Sequence, residues 1–163
     1  MSRALIAAVA FAVALPAVAA AGIFNPLPKK HPAPALAGVD PVTGKAVSLS
    51  QWRGKPVLVH IWGSWCPPCR EEAPRLGAFL VHHPGSLLGI DVEDSKAGVR
   101  SFLKGHHLRF PNIFDPHDAV VSRLNPIGTP STYVLDRRHR IVAVIYEPAT
   151  AAQLEHGWKL ANA

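Results

Sequence analysis

Residues 57–76 read VLVHIWGSWCPPCREEAPRL, and they decide the fold. Pro56 to Trp62 is a short, nearly continuous apolar run, which suits a buried central strand. Gly63-Ser64-Trp65 breaks it, and Cys66-Pro67-Pro68-Cys69 follows. From Pro67 to about Val81 the spacing of Leu76, Phe79 and Leu80 predicts a helix, kinked at Pro74. Two thiols therefore stand where a strand turns into a helix.

That position gives the thiols a chemistry. A thiol that attacks disulfides must be partly ionised, exposed, and close to a second thiol that resolves the mixed disulfide. Cys66 is placed to cap the helix opening at Pro67. The unpaired backbone N–H groups and the positive end of the helix dipole then favour its thiolate. In such motifs the pKa falls to around 3.5–7.5. Pro67 is tolerated at the first helical position, where its missing N–H has no partner to lose. Cys69 lies one turn further in, within bridging reach and expected to be more buried, so it is read as the resolving thiol. Trp65 is placed to shield the sulfur pair and to offer a partner chain an apolar platform.

Other uses of the pair fit less well. The chain has 163 residues and no third cysteine, so a four-cysteine zinc site or iron–sulfur cluster is ruled out. A zinc site would need further ligands, and the nine histidines are scattered apart from His82–His83 and His106–His107. Covalent haem attachment requires His directly after the second cysteine, and Arg70 stands there. A copper carrier of the Cys-x-x-x-Cys type needs one more residue between the thiols. The reading is a redox-active disulfide with no metal and no cofactor. A haem or metal chaperone using the same two cysteines and a nearby His is the rival. A peroxidase on the same frame lacks its peroxidatic loop before Cys66.

Working outward, Asp40-Pro41 with Gly44 reads as a hairpin tip, and Ala46 to Leu49 as its second strand. Ser86 to Asp91 reads as a strand, Lys96 to His106 as an amphipathic helix, and Phe110 to Asp115 as a short extended piece. Asp118 to Leu124 reads as a short helix. Ser131–Asp136 and Ile141–Tyr146 read as strands joined by a charged turn. A last helix runs from Thr150, a possible N-cap, to Leu160. Strand–helix–strand alternation implies a parallel pair, and the late hairpin adds antiparallel strands. The fold class expected is α/β, a mixed central sheet with helices on both faces.

The N-terminus reads as an export address. Arg3 precedes an apolar run from Ala4 to Leu15, and Ala17-Val18-Ala19 and Ala19-Ala20-Ala21 both suit signal cleavage. Residues 1–21 are read as a signal peptide or an uncleaved anchor, residues 22–34 as a proline-rich tether, and residues 35–163 as the folded domain. This layout indicates a bacterial envelope protein in the periplasm, where disulfide chemistry is permitted. The formal charge of +6 comes without a long basic stripe or interleaved aromatic residues. It is read as surface charge, with no nucleic acid as partner.

Residues 57–76 resemble the active-site segment of thioredoxin-fold proteins. More narrowly, the chain resembles the exported TlpA/ResA/DsbE (CcmG) group of thiol-disulfide oxidoreductases. LSQWRGKPVLVHIW is similar to that group's lead-in, and Pro74 stands five residues after Cys69, where such helices kink. Gly128-Thr129-Pro130 before STYVLD is similar to the loop that carries a cis-proline beside the cysteines. The early hairpin and the segment around residues 92–115 match the enlarged version of the fold, a thioredoxin-like domain with an N-terminal β-hairpin and a central insertion.

The resemblance implies roles. Pro130 would be cis, and the Thr129 backbone would receive an extended target beside Cys66. Glu72 matches an acidic residue near the disulfide in this group and is read either as the group that exchanges the proton of Cys69 or as one of two exposed helix acids, beside Glu71. His60 stands six residues before Cys66, where thioredoxins carry a buried acid and this group often Asn. It is read either as a proton relay titrating near neutral pH or as a core histidine. The implied activity is reduction of disulfides in exported proteins, with a membrane electron donor of the DsbD/CcdA type. Apocytochrome c is a target in the cytochrome-c-maturation members. The loop LNPIGTPSTY lacks their Gly-Val-Tyr-Gly and Pro-Glu-Thr pattern, which moves weight toward a general role.

Overall fold

The computed structural model describes residues 23–163. In chain order it has β1 (Ile23–Pro32), β2 (Ala37–Val39), β3 (Ala46–Ser48), β4 (Val57–Trp62) and α1 (Pro67–His82). Then come β5 (Leu87–Val92), α2 (Lys96–Gly105), β6 (Asn112–Asp115), β7 (Ser131–Leu135), β8 (Arg140–Tyr146) and α3 (Ala151–Asn162). Single 3-10 turns occupy Leu49–Trp52 and Val121–Leu124, the second where a short helix was expected from Asp118. The residues read as a signal peptide or anchor lie outside the described residues. No helix among the described residues is long and apolar enough to cross a membrane.

Six strands form one mixed sheet in the order β1-β8-β7-β4-β5-β6, and β2–β3 form a separate hairpin. β4 runs parallel to β5 and β5 to β6, while β7 and β8 are antiparallel. Every residue of β4 and β5 is buried. That explains their unbroken apolar runs, since both faces of these central strands are covered.

The two faces differ. Leu58, Trp62, Leu87 and Val134 share a core with residues of all three helices, among them Ala73, Phe102 and Leu154. Val59, Ile61, Leu88 and Tyr133 face the other way, against Leu36, Val47, Trp52 and Leu124. The three α-helices thus form one layer, and the expected helices on both faces reduce, on the opposite face, to single 3-10 turns beside the hairpin, since two successive right-handed parallel crossovers in one direction put α1 and α2 on the same side. Each fully buried Val, Leu or Ile contributes about 1.5–3 kcal/mol to this arrangement. Helix starts follow the sequence. Ser95 Oγ accepts the Gly98 N–H at 3.0 Å, and Thr150 forms a capping box with Gln153.

The expected tether is corrected. Residues 23–32 are a strand, β1, paired antiparallel with β8, from Ile23 opposite Tyr146 to Pro32 opposite Arg140. Prolines lower the strand signal because they donate no hydrogen bond, yet they are tolerated on an edge strand. β1 is such an edge, and its register shifts between Pro26 and His31. Phe24 packs against the helix layer, with its ring 4.8 Å from that of His156.

Candidate active site

β4 ends at Trp62 in the core. Its indole Nε1–H donates to Asn112 Oδ1 at 2.9 Å, which fixes the strand end against β6. The chain then turns through Gly63-Ser64-Trp65 into α1. Cys66 is the N-cap of α1, and its Sγ accepts the Cys69 N–H at 3.2 Å. Cys66 and Cys69 are joined as a disulfide, with Cα atoms 5.3 Å apart. Reduction would leave the Cys66 sulfur at the positive end of a 16-residue helix, where a thiolate is stabilised. The helix continues through Pro74 to His82.

One expectation about the two thiols fails. Both are 1% exposed in the disulfide form, so burial does not separate attacker from resolver. Direction separates them. Cys66 Sγ lies at the helix start, 3.8 Å from the Thr129 carbonyl oxygen, whereas Cys69 sits a turn deeper. The Thr129–Pro130 peptide bond is cis, and Thr129 is half-buried at the edge of this contact. Trp65 is 45% exposed beside the disulfide.

Glu72 follows Cys69 by one turn on the same buried face and is 0% exposed. Neither carboxyl oxygen has a hydrogen bond of ordinary length. Burial pushes its pKa up to about 8, with the nearby Ala149 backbone N–H and Arg75 offsetting only part of that. Arg75 is itself turned to the Ala149 carbonyl, 2.7 Å from Nε. A buried carboxyl titrating near neutrality, a turn from the resolving thiol, suits proton exchange.

His60 is also fully buried, and burial drives its pKa down to about 3. Its Nδ1 is 2.9 Å from Thr132 Oγ1 on β7. His60 is thus a core imidazole with a hydrogen-bond partner, and burial favours its neutral form, as in the second of its two readings. Among the described residues there is no group of three His, Cys, Asp or Glu placed to hold a metal ion.

The structure adds residues that the motif does not reveal. Asp94 Oδ2 accepts the Ser64 N–H at 2.6 Å, and Oδ1 accepts the Ser64 hydroxyl at 2.9 Å and the Ser95 N–H at 2.6 Å. Trp65 Nε1–H donates to the Val92 carbonyl at 3.0 Å, and Arg70 Nη2 to the Ser64 carbonyl at 2.7 Å. The loop before Cys66 is thereby tied to the loop between β5 and α2. Gly98 permits this closeness, since a Cβ there would lie 2.5 Å from both Ser64 Oγ and Asp94 Oδ1. Beneath them, burial and then the Asp94 charge push the Asp91 carboxyl up to about 9. The sequence analysis missed these ties, because they join loops far apart along the chain.

A strand-to-helix disulfide, its cysteine cap and a cis-proline loop facing it define a thioredoxin-fold dithiol–disulfide protein. The sequence matches the Redoxin family over residues 28–156, and the chain belongs to that family. Thiol-disulfide oxidoreductase ResA of Bacillus thuringiensis subsp. konkukian is 26% identical over 120 residues, covering 72% of this chain and 69% of that protein. A DsbF homologue from Corynebacterium diphtheriae superposes with a TM-score of 0.76 at 29% identity, covering 91% of this chain and 98% of that one. A secreted thiol-disulfide isomerase from Corynebacterium glutamicum gives a TM-score of 0.75 at 27% identity, over 93% and 98% of the two chains. The fold is thioredoxin-like, and the chain is a thiol-disulfide oxidoreductase.

Proposed function

We propose that the protein works in the periplasm as a reductant of disulfides in other exported proteins. The observation that carries this is the place of Cys66 Sγ, capping α1 and lying 3.8 Å from the Thr129 carbonyl. An extended target chain laid along the Thr129 backbone brings its disulfide to that sulfur. The reduced enzyme begins with a Cys66 thiolate and a Cys69 thiol. The thiolate attacks one target sulfur, a Cys66–target disulfide forms, and the second target sulfur leaves and takes a proton. Glu72 accepts the Cys69 proton in molecules whose carboxyl has ionised, a fraction that grows as the pH rises toward its pKa of about 8. The Cys69 thiolate then attacks Cys66 Sγ, the Cys66–Cys69 disulfide closes, and the first target sulfur leaves as the second thiol. Two electrons pass to the target in one cycle.

A membrane electron donor of the DsbD/CcdA type returns the enzyme to its dithiol form in this reading. The N-terminal export segment supports the location, and similarity to ResA supports the chemistry. Apocytochrome c belongs among the targets to be sought. The direction of transfer is tested by the reduction potential of the Cys66–Cys69 pair. A value near about −270 mV, as in thioredoxin, fits a reductant, while one near about −120 mV, as in strong oxidants, reverses the direction.

A further inference from the structure

A wide cleft among the described residues contains none of the redox-site residues. It opens between the β2–β3 hairpin and the end of α2, with a volume of about 990 Å³. Its floor is apolar: Val47, Leu103 and Leu108 are buried there, and Phe110 is half-buried. Its rim is cationic, with Lys45 from the hairpin, Arg100 and Lys104 from α2, and Arg109 from the segment after it. All four are exposed.

Asp40 is the one carboxylate lining the cleft, and its oxygens are already engaged. Oδ1 accepts the N–H groups of Val42 and Thr43 at 2.9 and 2.8 Å, and Oδ2 accepts that of Asn112 at 3.0 Å. Arg100 Nη1 donates to the Pro41 carbonyl at 3.0 Å and so ties the hairpin to α2. The side chains of Lys45, Lys104 and Arg109 make no hydrogen bond or ion pair with the described residues. Four cations less one anion leave +3 at the cleft, half of the +6 carried by the whole chain.

Like charges gathered at the mouth of a low-dielectric cleft focus a positive potential into it. An apolar floor under that potential is poorly matched by water or by a small hydrated anion. The volume lies at the upper end of the range for sites that enclose a small organic molecule, about 300–1,000 Å³. We infer that this cleft binds an amphipathic organic anion, with its apolar body on Leu103, Leu108 and Phe110 and its carboxylate, sulfonate or phosphate at Lys45, Lys104 and Arg109. The site is separate from the disulfide and holds whichever way electrons flow there.

The test uses the folded, oxidised protein and two dyes with nearly the same apolar body. One is the anion 1-anilinonaphthalene-8-sulfonate, and the other is uncharged N-phenyl-1-naphthylamine. The expected result is saturable one-to-one binding of the anion, about tenfold tighter than the neutral dye, weakening as salt is added. Lys104→Gln with Arg109→Gln should weaken the anion about tenfold and leave the neutral dye little changed. Lys45→Gln, on the hairpin and clear of α2, should act in the same direction with the helix untouched. Laurate should displace the dye from the native protein and not from these variants. Equal affinity for the two dyes, or variants that bind the anion as the native protein does, would overturn the inference. Binding only to phosphatidylglycerol vesicles, with no soluble anion bound, would also overturn it in favour of a membrane surface.

Discussion

At the scale of single residues, two buried titratable groups set opposite pH dependences. Glu72 holds its proton to about pH 8 when folded, against 4.5 as its ordinary value. Between those values the folded state binds a proton that the unfolded state has lost, so stability falls as pH rises through the window. Glu72→Gln should flatten that slope, raising stability at pH 8 and changing it little at pH 4, as read by urea unfolding. An unaltered slope would mean that Glu72 ionises normally. His60 acts in reverse. Its folded pKa of about 3 lies below the ordinary 6.5, so stability falls as pH drops through that interval. His60→Asn should remove this acid-side loss and leave the pH–rate profile of disulfide reduction unmoved near neutrality. A shifted profile would restore a proton relay. The thiol pair was legible from sequence because its spacing and setting are local. So was the burial of His60, inside an apolar strand, but its partner Thr132 on β7 and the burial of Glu72 against the chain around Ala149 were not, because the sequence places those residues far away.

At the scale of elements, the loop before Cys66 is held from outside α1. Asp94 takes three hydrogen bonds there, two of them from Ser64. Asp94→Ala should cost about 1–3 kcal/mol in chemical unfolding. It should also speed amide exchange at Ser64, and slow disulfide reduction more than it destabilises the fold. Exchange at Ser64 equal to that of the native protein would show that Trp65 and Arg70 suffice to hold the loop. Continuous apolar runs placed β4 and the β7–β8 hairpin, which are buried on both faces, and helical periodicity placed α1 and α2, which each bury one face. It could not show that the β5–α2 loop crosses to Ser64, because that contact joins residues about thirty positions apart through short polar side chains.

At the scale of the whole molecule, the proline-rich segment is the main revision. Read from composition it is a tether, yet it closes the sheet as β1 on the β8 edge. Its prolines and lysines suit an edge, where missing donors are tolerated and charge discourages further pairing. Deleting residues 1–34 should lower the midpoint of thermal unfolding by about 5–10 °C, as the β8 edge and the Phe24 contact are lost. An unchanged midpoint would mean that β1 adds nothing to the domain.

The account depends most on the division of labour between the two cysteines. Cys69→Ala and Cys66→Ala proteins, reduced and mixed with envelope proteins, should differ on non-reducing gels followed by mass spectrometry. Cys69→Ala should accumulate mixed disulfides through Cys66, because nothing remains to release the target, and Cys66→Ala should accumulate none. Equal trapping by both variants, or trapping through Cys69 alone, would contradict the mechanism.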